Sequence, residues 1–168
     1  ASRQLEEVTF RRTVIPVQEL LDAAGKYFKK LMKNRPERIE LEIEPMEAKV
    51  IGDVNQLRFL LENLIDEALT VREDGVIRLQ ARKDNEYVRF LFTDTRREKS
   101  VEELNQLFYP NLARMTSGEK GELRGTEYLV CKQIIRDHDE FAGRRGCRIN
   151  AEPAEGGGFT VYFTIPRR

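Results

Sequence analysis

The chain is poor in the residues that build disulfide frameworks or zinc sites. Its 168 residues include two cysteines, Cys131 and Cys147, and one histidine, His138. Without CxxC spacing, these indicate neither a disulfide framework nor a zinc site, and a reducing, cytoplasmic setting is the expectation. Charge of either sign is also missing in net terms, because Lys and Arg total 29 and Asp and Glu total 29. No long tract of one sign offers a footprint for nucleic acid or an acidic membrane, so neither is expected as a partner. The apolar runs are too short to span a bilayer, and Ala1-Ser2-Arg3-Gln4 begins no signal peptide. No direct membrane insertion is expected, and the missing initiator Met suggests a piece excised from a larger protein. There is no internal repeat and no low-complexity segment.

What remains is patterned for one compact core. At this length, with 40% of residues apolar, residues 1–168 are expected to form a single domain. Val17, Leu20, Leu21, Ala24, Phe28 and Leu31 recur at helical spacing, with Pro16 suited to a first helical position, which predicts a helix over 16–33. Asn34-Arg35-Pro36 breaks it. Ile39, Leu41 and Ile43 then alternate with charged residues, as in a half-buried strand ended by Pro45. Asp53 can cap a second helix, whose stripe of Val54, Leu57, Leu61, Leu64, Ile65 and Ala68 marks it as central.

Two strands, 76–82 and 87–93, follow as an antiparallel hairpin. Residues 94–125 are irregular, with a capping-box pattern at Ser100 and Glu103 and two glycines in 116–121, and are expected to act as a lid. Thr126 could cap a helix running to about Asp137. The charged loop 137–146, with Arg144 and Arg145, offers a contact surface or a solvated turn. Strands 147–151 and 159–165 close the chain around Gly156-Gly157-Gly158. The fold class is α+β: a two-layer α/β sandwich with helices on one face of a mixed, mostly antiparallel sheet.

Several motifs in this order carry a resemblance. Asp53-x-x-x-Leu57 leading into Leu60-Leu61-Glu62-Asn63-Leu64-Ile65-Asp66-Glu67-Ala68 resembles the N box of histidine-kinase ATPase domains. Phe90-Leu91-Phe92-Thr93-Asp94 resembles the strand ending in the Asp of the first glycine box, and Leu107-Phe108-Tyr109-Pro110 is similar to the phenylalanine box. Gly125-Thr126-Glu127-Tyr128 resembles the second glycine box, and Gly156 to Pro166 the terminal strand. The likeness runs from roughly Val8 to Pro166 and rests on several boxes rather than one pattern.

The resemblance implies the Bergerat-type fold shared by gyrase, chaperone and histidine-kinase ATPases, with ATP or ADP and Mg held between helices and a flexible lid. It gives Asp94 the adenine amino group, for which a carboxylate serves as a pure acceptor; a strand-end or turn role is the plainer alternative. It gives Asn63 and Glu67, four apart on one helix face, the metal, although the second position is usually Asn. It gives Gly125 and Thr126 the phosphates at a helix start. Arg96 and Glu98 stand where the family has glycines that let the backbone approach the nucleotide, and Glu127 replaces another glycine. Lys120 and Arg124 could face phosphate or simply water.

Two expectations follow. In the first, the domain is the ATP-binding part of a two-component sensor histidine kinase whose nucleotide binding has weakened or vanished, leaving a pseudokinase or interaction module. In the second, it is an active ATP- and Mg-dependent phosphoryl donor. Either way the implied partners are a histidine-bearing dimerisation domain in the parent protein, a response regulator and a second copy of the parent in a homodimer. No phosphoacceptor segment is visible, so the isolated piece is not expected to autophosphorylate.

Overall fold

A computed structural model describes residues 9–110 and 126–168. Strand β1 (Thr13–Pro16) leads into helix α1 (Val17–Met32), then β2 (Ile39–Ile43), β3 (Lys49–Gly52) and helix α2 (Val54–Ala68). The hairpin β4 (Gly75–Lys83) and β5 (Tyr87–Asp94) follows, then the short α3 (Val101–Asn105), helix α4 (Glu127–Phe141), β6 (Ile149–Pro153) and β7 (Phe159–Pro166). Five strands form one sheet in the order β2-β4-β5-β7-β6, with β2 parallel to β4 and every other pair antiparallel. The mixed, mostly antiparallel sheet is therefore as expected.

Alternation along the strands explains the two layers. Ile77, Leu79, Val88, Phe90, Phe92, Val161, Phe163 and Ile165 are buried and join the stripes of α1, α2 and α4 in one core. Phe90 and Phe163 stack across β5 and β7 at 4.8 Å. Arg78, Arg82 and Arg89 point to the opposite, open face, where Arg89 lies over Tyr162. Side chains two apart on a strand share a face, so one face takes the helices and the other takes water.

The helix ends follow local chemistry. The Asp53 carboxylate accepts from the amides of Asn55 and Gln56, the cap read from sequence. Asn34 takes a left-handed φ of 72°, which ends α1 in the way the Asn-Arg-Pro sequence implies. Ser100 and Glu103 form the full capping box.

Four expectations need correction. Pro16 is the N-cap of α1 and the last residue of β1 rather than the first helical residue. Thr126 stands at the N-cap of α4 but its side chain makes no capping bond. That helix continues to Phe141, and the next strand starts at Ile149, because Asp139 accepts from the amides of Gly146 and Cys147 and folds the loop back onto α4. The small antiparallel sheet of β1 and β3 was not foreseen; at four residues each, these strands give periodicity little to work on.

Candidate functional site

The site is built where the C-terminal end of β5 meets the C-terminal half of α2. Asp94 closes β5 and is 1% exposed. Both of its oxygens are filled from within the chain. Oδ1 accepts from the Arg96 amide at 3.0 Å and Arg96 Nε at 2.9 Å, and Oδ2 from Arg96 Nη2 at 3.0 Å and Arg97 Nε at 3.0 Å. A carboxylate offers about four lone-pair positions, so this one is saturated. Burial alone would raise its pKa, but the hydrogen bonds from Arg96 and the charges of both arginines outweigh burial and hold it below the usual carboxylate range.

Arg96 turns inward. Its side chain is 2% exposed. Besides the two contacts to Asp94, Nη1 donates to the carbonyls of Val71 and Glu73, both at 2.9 Å, and Nη2 to the carbonyl of Ala68 at 2.7 Å. All five guanidinium donors thus have an acceptor. The carbonyls come from the end of α2 and the turn after it, where a helix runs out of intrahelical donors; that of Ala68 also accepts from the Val71 amide at 3.2 Å. Gly75 makes room: at φ +143° it has no Cβ, and one placed there would lie 2.5 Å from Arg96 Cγ.

Arg97 spans the gap to α2. Besides Asp94, it donates to Glu67 Oε1 at 2.8 Å and Oε2 at 3.4 Å, with its guanidinium over the Phe159 ring at 5.2 Å. Burial would lower its pKa, but Glu67 and Asp94 hold its charge more firmly than usual. Tyr128, in the first turn of α4, donates its hydroxyl to Glu67 Oε1 at 2.7 Å, and burial followed by the charge of Glu67 pushes its pKa well up. The next residue of the segment, Glu98, accepts from the Gly158 amide at 2.9 Å. Residues 96–98 are consequently fixed at three places at once: the α2 end, the α2 face and the turn before β7.

Of the residues singled out from sequence, Asp94 and Glu67 are brought together, through Arg97. Asn63 lies one turn before Glu67 and donates its Nδ2 to the carbonyl of Phe59 in its own helix at 2.8 Å. Thr126 sits two residues before Tyr128. Gly125, Lys120 and Arg124, like the rest of 111–125 in the expected lid, lie outside the described residues. Among the described residues there is no group of three or more His, Cys, Asp or Glu able to hold a metal. Sequence reasoning missed Arg97 and Tyr128. Arg97 stands between two residues already singled out, Arg96 and Glu98, and a second cation three positions after a buried Asp was the available signal.

The sequence pattern of the family described as histidine kinase-, DNA gyrase B- and HSP90-like ATPases matches residues 52–168. The chain belongs to this family. Its Bergerat-type fold agrees with solved histidine-kinase structures. The catalytic domain of histidine kinase ThkA, free of nucleotide, is 21% identical with a TM-score of 0.70, over 94% of this chain and 98% of that one. The mycobacterial sensor histidine kinase MprB is 19% identical at the same TM-score, over 94% and 99%. ThkA in complex with the response regulator TrrA is 19% identical with a TM-score of 0.71, over 95% and 42%. Full-length ShkA in complex with AMPPNP is 16% identical with a TM-score of 0.71, over 95% and 32%. No curated protein sequence matches the chain. No described helix is long and apolar enough to cross a membrane.

Proposed function

We propose that this chain is the ATP-binding catalytic-type domain of a two-component sensor histidine kinase in which nucleotide binding is weakened or lost, so that it works as a pseudokinase and interaction module. One observation carries the reading: the Asp94 carboxylate, which the family likeness assigns to the adenine amino group, is filled by Arg96 and Arg97. As placed, the residues do not fit nucleotide and metal. Asp94 has no free acceptor, and the carboxylate of Glu67, the candidate metal ligand, is engaged by Arg97 and Tyr128. Adenine would have to displace a guanidinium whose donors are all satisfied. Leaving a buried charge without partners costs about 3–5 kcal/mol, against roughly 8 kcal/mol for the whole of a micromolar affinity.

The proposed unit is the single domain of residues 1–168, with 94–125 as its lid-like segment. ThkA is seen with a response regulator. By analogy, the partners proposed here are a histidine-bearing dimerisation domain, a response regulator and a second copy of the parent protein.

Calorimetric titration with ADP and ATP, with and without magnesium, tests the reading. No saturable heat up to millimolar nucleotide is expected. Saturable, magnesium-dependent binding would overturn it and leave the active phosphoryl-donor module in its place.

A further inference from the structure

A second surface lies along α4 away from this cluster, at the β6 edge of the sheet. A groove of about 470 Å³ runs between α4 and β6, with Ile135, Cys147 and Ile149 among its lining. Its charged residues are Lys132, Arg136, Arg145 and Arg148 against Asp139 and Glu140. Asp139 is engaged with the loop amides and with Arg145 at 3.4 Å, and Lys132 lies over the Tyr109 ring at 4.1 Å. Arg136 and Arg148 are exposed, and neither guanidinium has an ion pair among the described residues. The groove therefore favours negative charge.

The groove also borders an unpaired strand. β6 ends the sheet order, with β7 on one side and no strand on the other among the described residues. The Thr164 amide donates to the Arg148 carbonyl at 3.0 Å, and Asn150 stands opposite Tyr162. In an antiparallel pair the bonded positions alternate, so Ile149 and Ala151 direct their N–H and C=O groups away from β7. Pro153, which lacks an N–H, closes that row. A strand edge with outward donors, an apolar border and flanking cations is a template for strand addition.

We propose that the β6 edge and the α4 groove form a docking site for an acidic, extended peptide segment of a partner protein, which adds as a sixth strand. Alternate residues of an added strand point to opposite faces. One set reaches the helix-side border at Ile135 and Ile149, with Arg136 at its rim, and carboxylates of the other set reach Arg148. Arg144 and Arg145 hold the neighbouring loop in place, Arg144 through the Glu86 carbonyl at 2.6 Å and Arg145 through Asp139.

The probe is a fluorescein-labelled eight-residue peptide alternating Glu and Val, read by anisotropy against the folded domain. Saturable binding is expected, weakened at least tenfold by Arg136→Glu with Arg148→Glu, and lost with a peptide alternating Lys and Val. Amide exchange gives a readout that needs no variant: the Ile149 and Ala151 amides should become protected when the peptide is added. Ala151→Pro removes one outward donor at an edge position that tolerates proline and should abolish binding in a domain that still folds. The proposal is overturned by no binding at millimolar peptide, by equal binding of the Lys-Val peptide, by unchanged exchange at both amides, or by a domain that dimerises through β6 without peptide.

Discussion

The two ends of helix α4 solve the same problem in opposite ways. At the N-terminal end Tyr128 enters a cluster of ions, Glu67, Arg97, Asp94 and Arg96, whose charges are closed on one another away from water. Near the C-terminal end His138 is fully buried as a neutral ring. Its Nε2 accepts from the Asp53 amide at 3.1 Å, which leaves Nδ1 to donate to the Ile134 carbonyl at 2.9 Å. The Phe10 ring meets it edge-on at 4.7 Å. At these two ends buried polar groups are held either as saturated ion pairs or as a neutral hydrogen-bonded ring. The first kind fails when one partner is removed, and the second when a proton is added.

The largest expected effect breaks the ionic end. Arg96→Ala leaves Asp94 with Arg97 and the residue-96 backbone amide alone and takes the guanidinium donor from the Val71 and Glu73 carbonyls, and should cost about 3–5 kcal/mol in denaturant unfolding. A loss below 1 kcal/mol would mean that the cluster is solvated rather than closed. The same end should dominate the acid limb. Because the folded pKa of Asp94 is depressed, its stabilisation is present above the ordinary carboxylate value, near 3.9, and is lost as pH falls below it, when the unfolded chain takes up the proton first. Asp94→Asn should flatten unfolding free energy against pH in that range.

The histidine end should respond at higher pH. Burial lowers the His138 pKa, with the Ile134 carbonyl and nearby Asp53 and Asp137 opposing it only in part. The unfolded chain therefore binds the proton more readily, and stability should decline as pH falls from about 6.5. His138→Phe should remove that slope while costing about 1–3 kcal/mol at neutral pH for the orphaned Asp53 amide. Away from both ends, Ser100→Ala should cost about 1 kcal/mol through the lost cap of α3. Arg136→Glu with Arg148→Glu should change stability by less than about 0.5 kcal/mol, which separates a docking surface from a structural one.

Much of this arrangement was legible from spacing. The stripes of α1 and α2, the hairpin and the closing strand follow from apolar periodicity, and Asp53, Asn34 and Ser100 from the chemistry of helix ends. The family likeness pointed to Asp94, Glu67, Arg96 and Glu98 by place in a motif. What it could not give was direction. Whether Arg96 turns outward to solvent or inward onto Asp94 depends on three carbonyls between Ala68 and Glu73 and on the space left at Gly75, all distant in sequence. The short strands β1 and β3 were hidden for a related reason: their partner is each other, from Pro16 to Lys49 at the nearest pair and Thr13 to Gly52 at the farthest, and four residues hold too little pattern to announce a pairing.

Salt would treat the chain's ion pairs unequally. Arg78 with Glu42 and Arg82 with Glu44 lie on the open face of the sheet with about half of each side chain exposed, and molar salt, with a screening length of about 3 Å, should largely cancel their attraction. The Arg96 guanidinium has no face open to dissolved ions, so its hold on Asp94 should persist in brine that silences the surface.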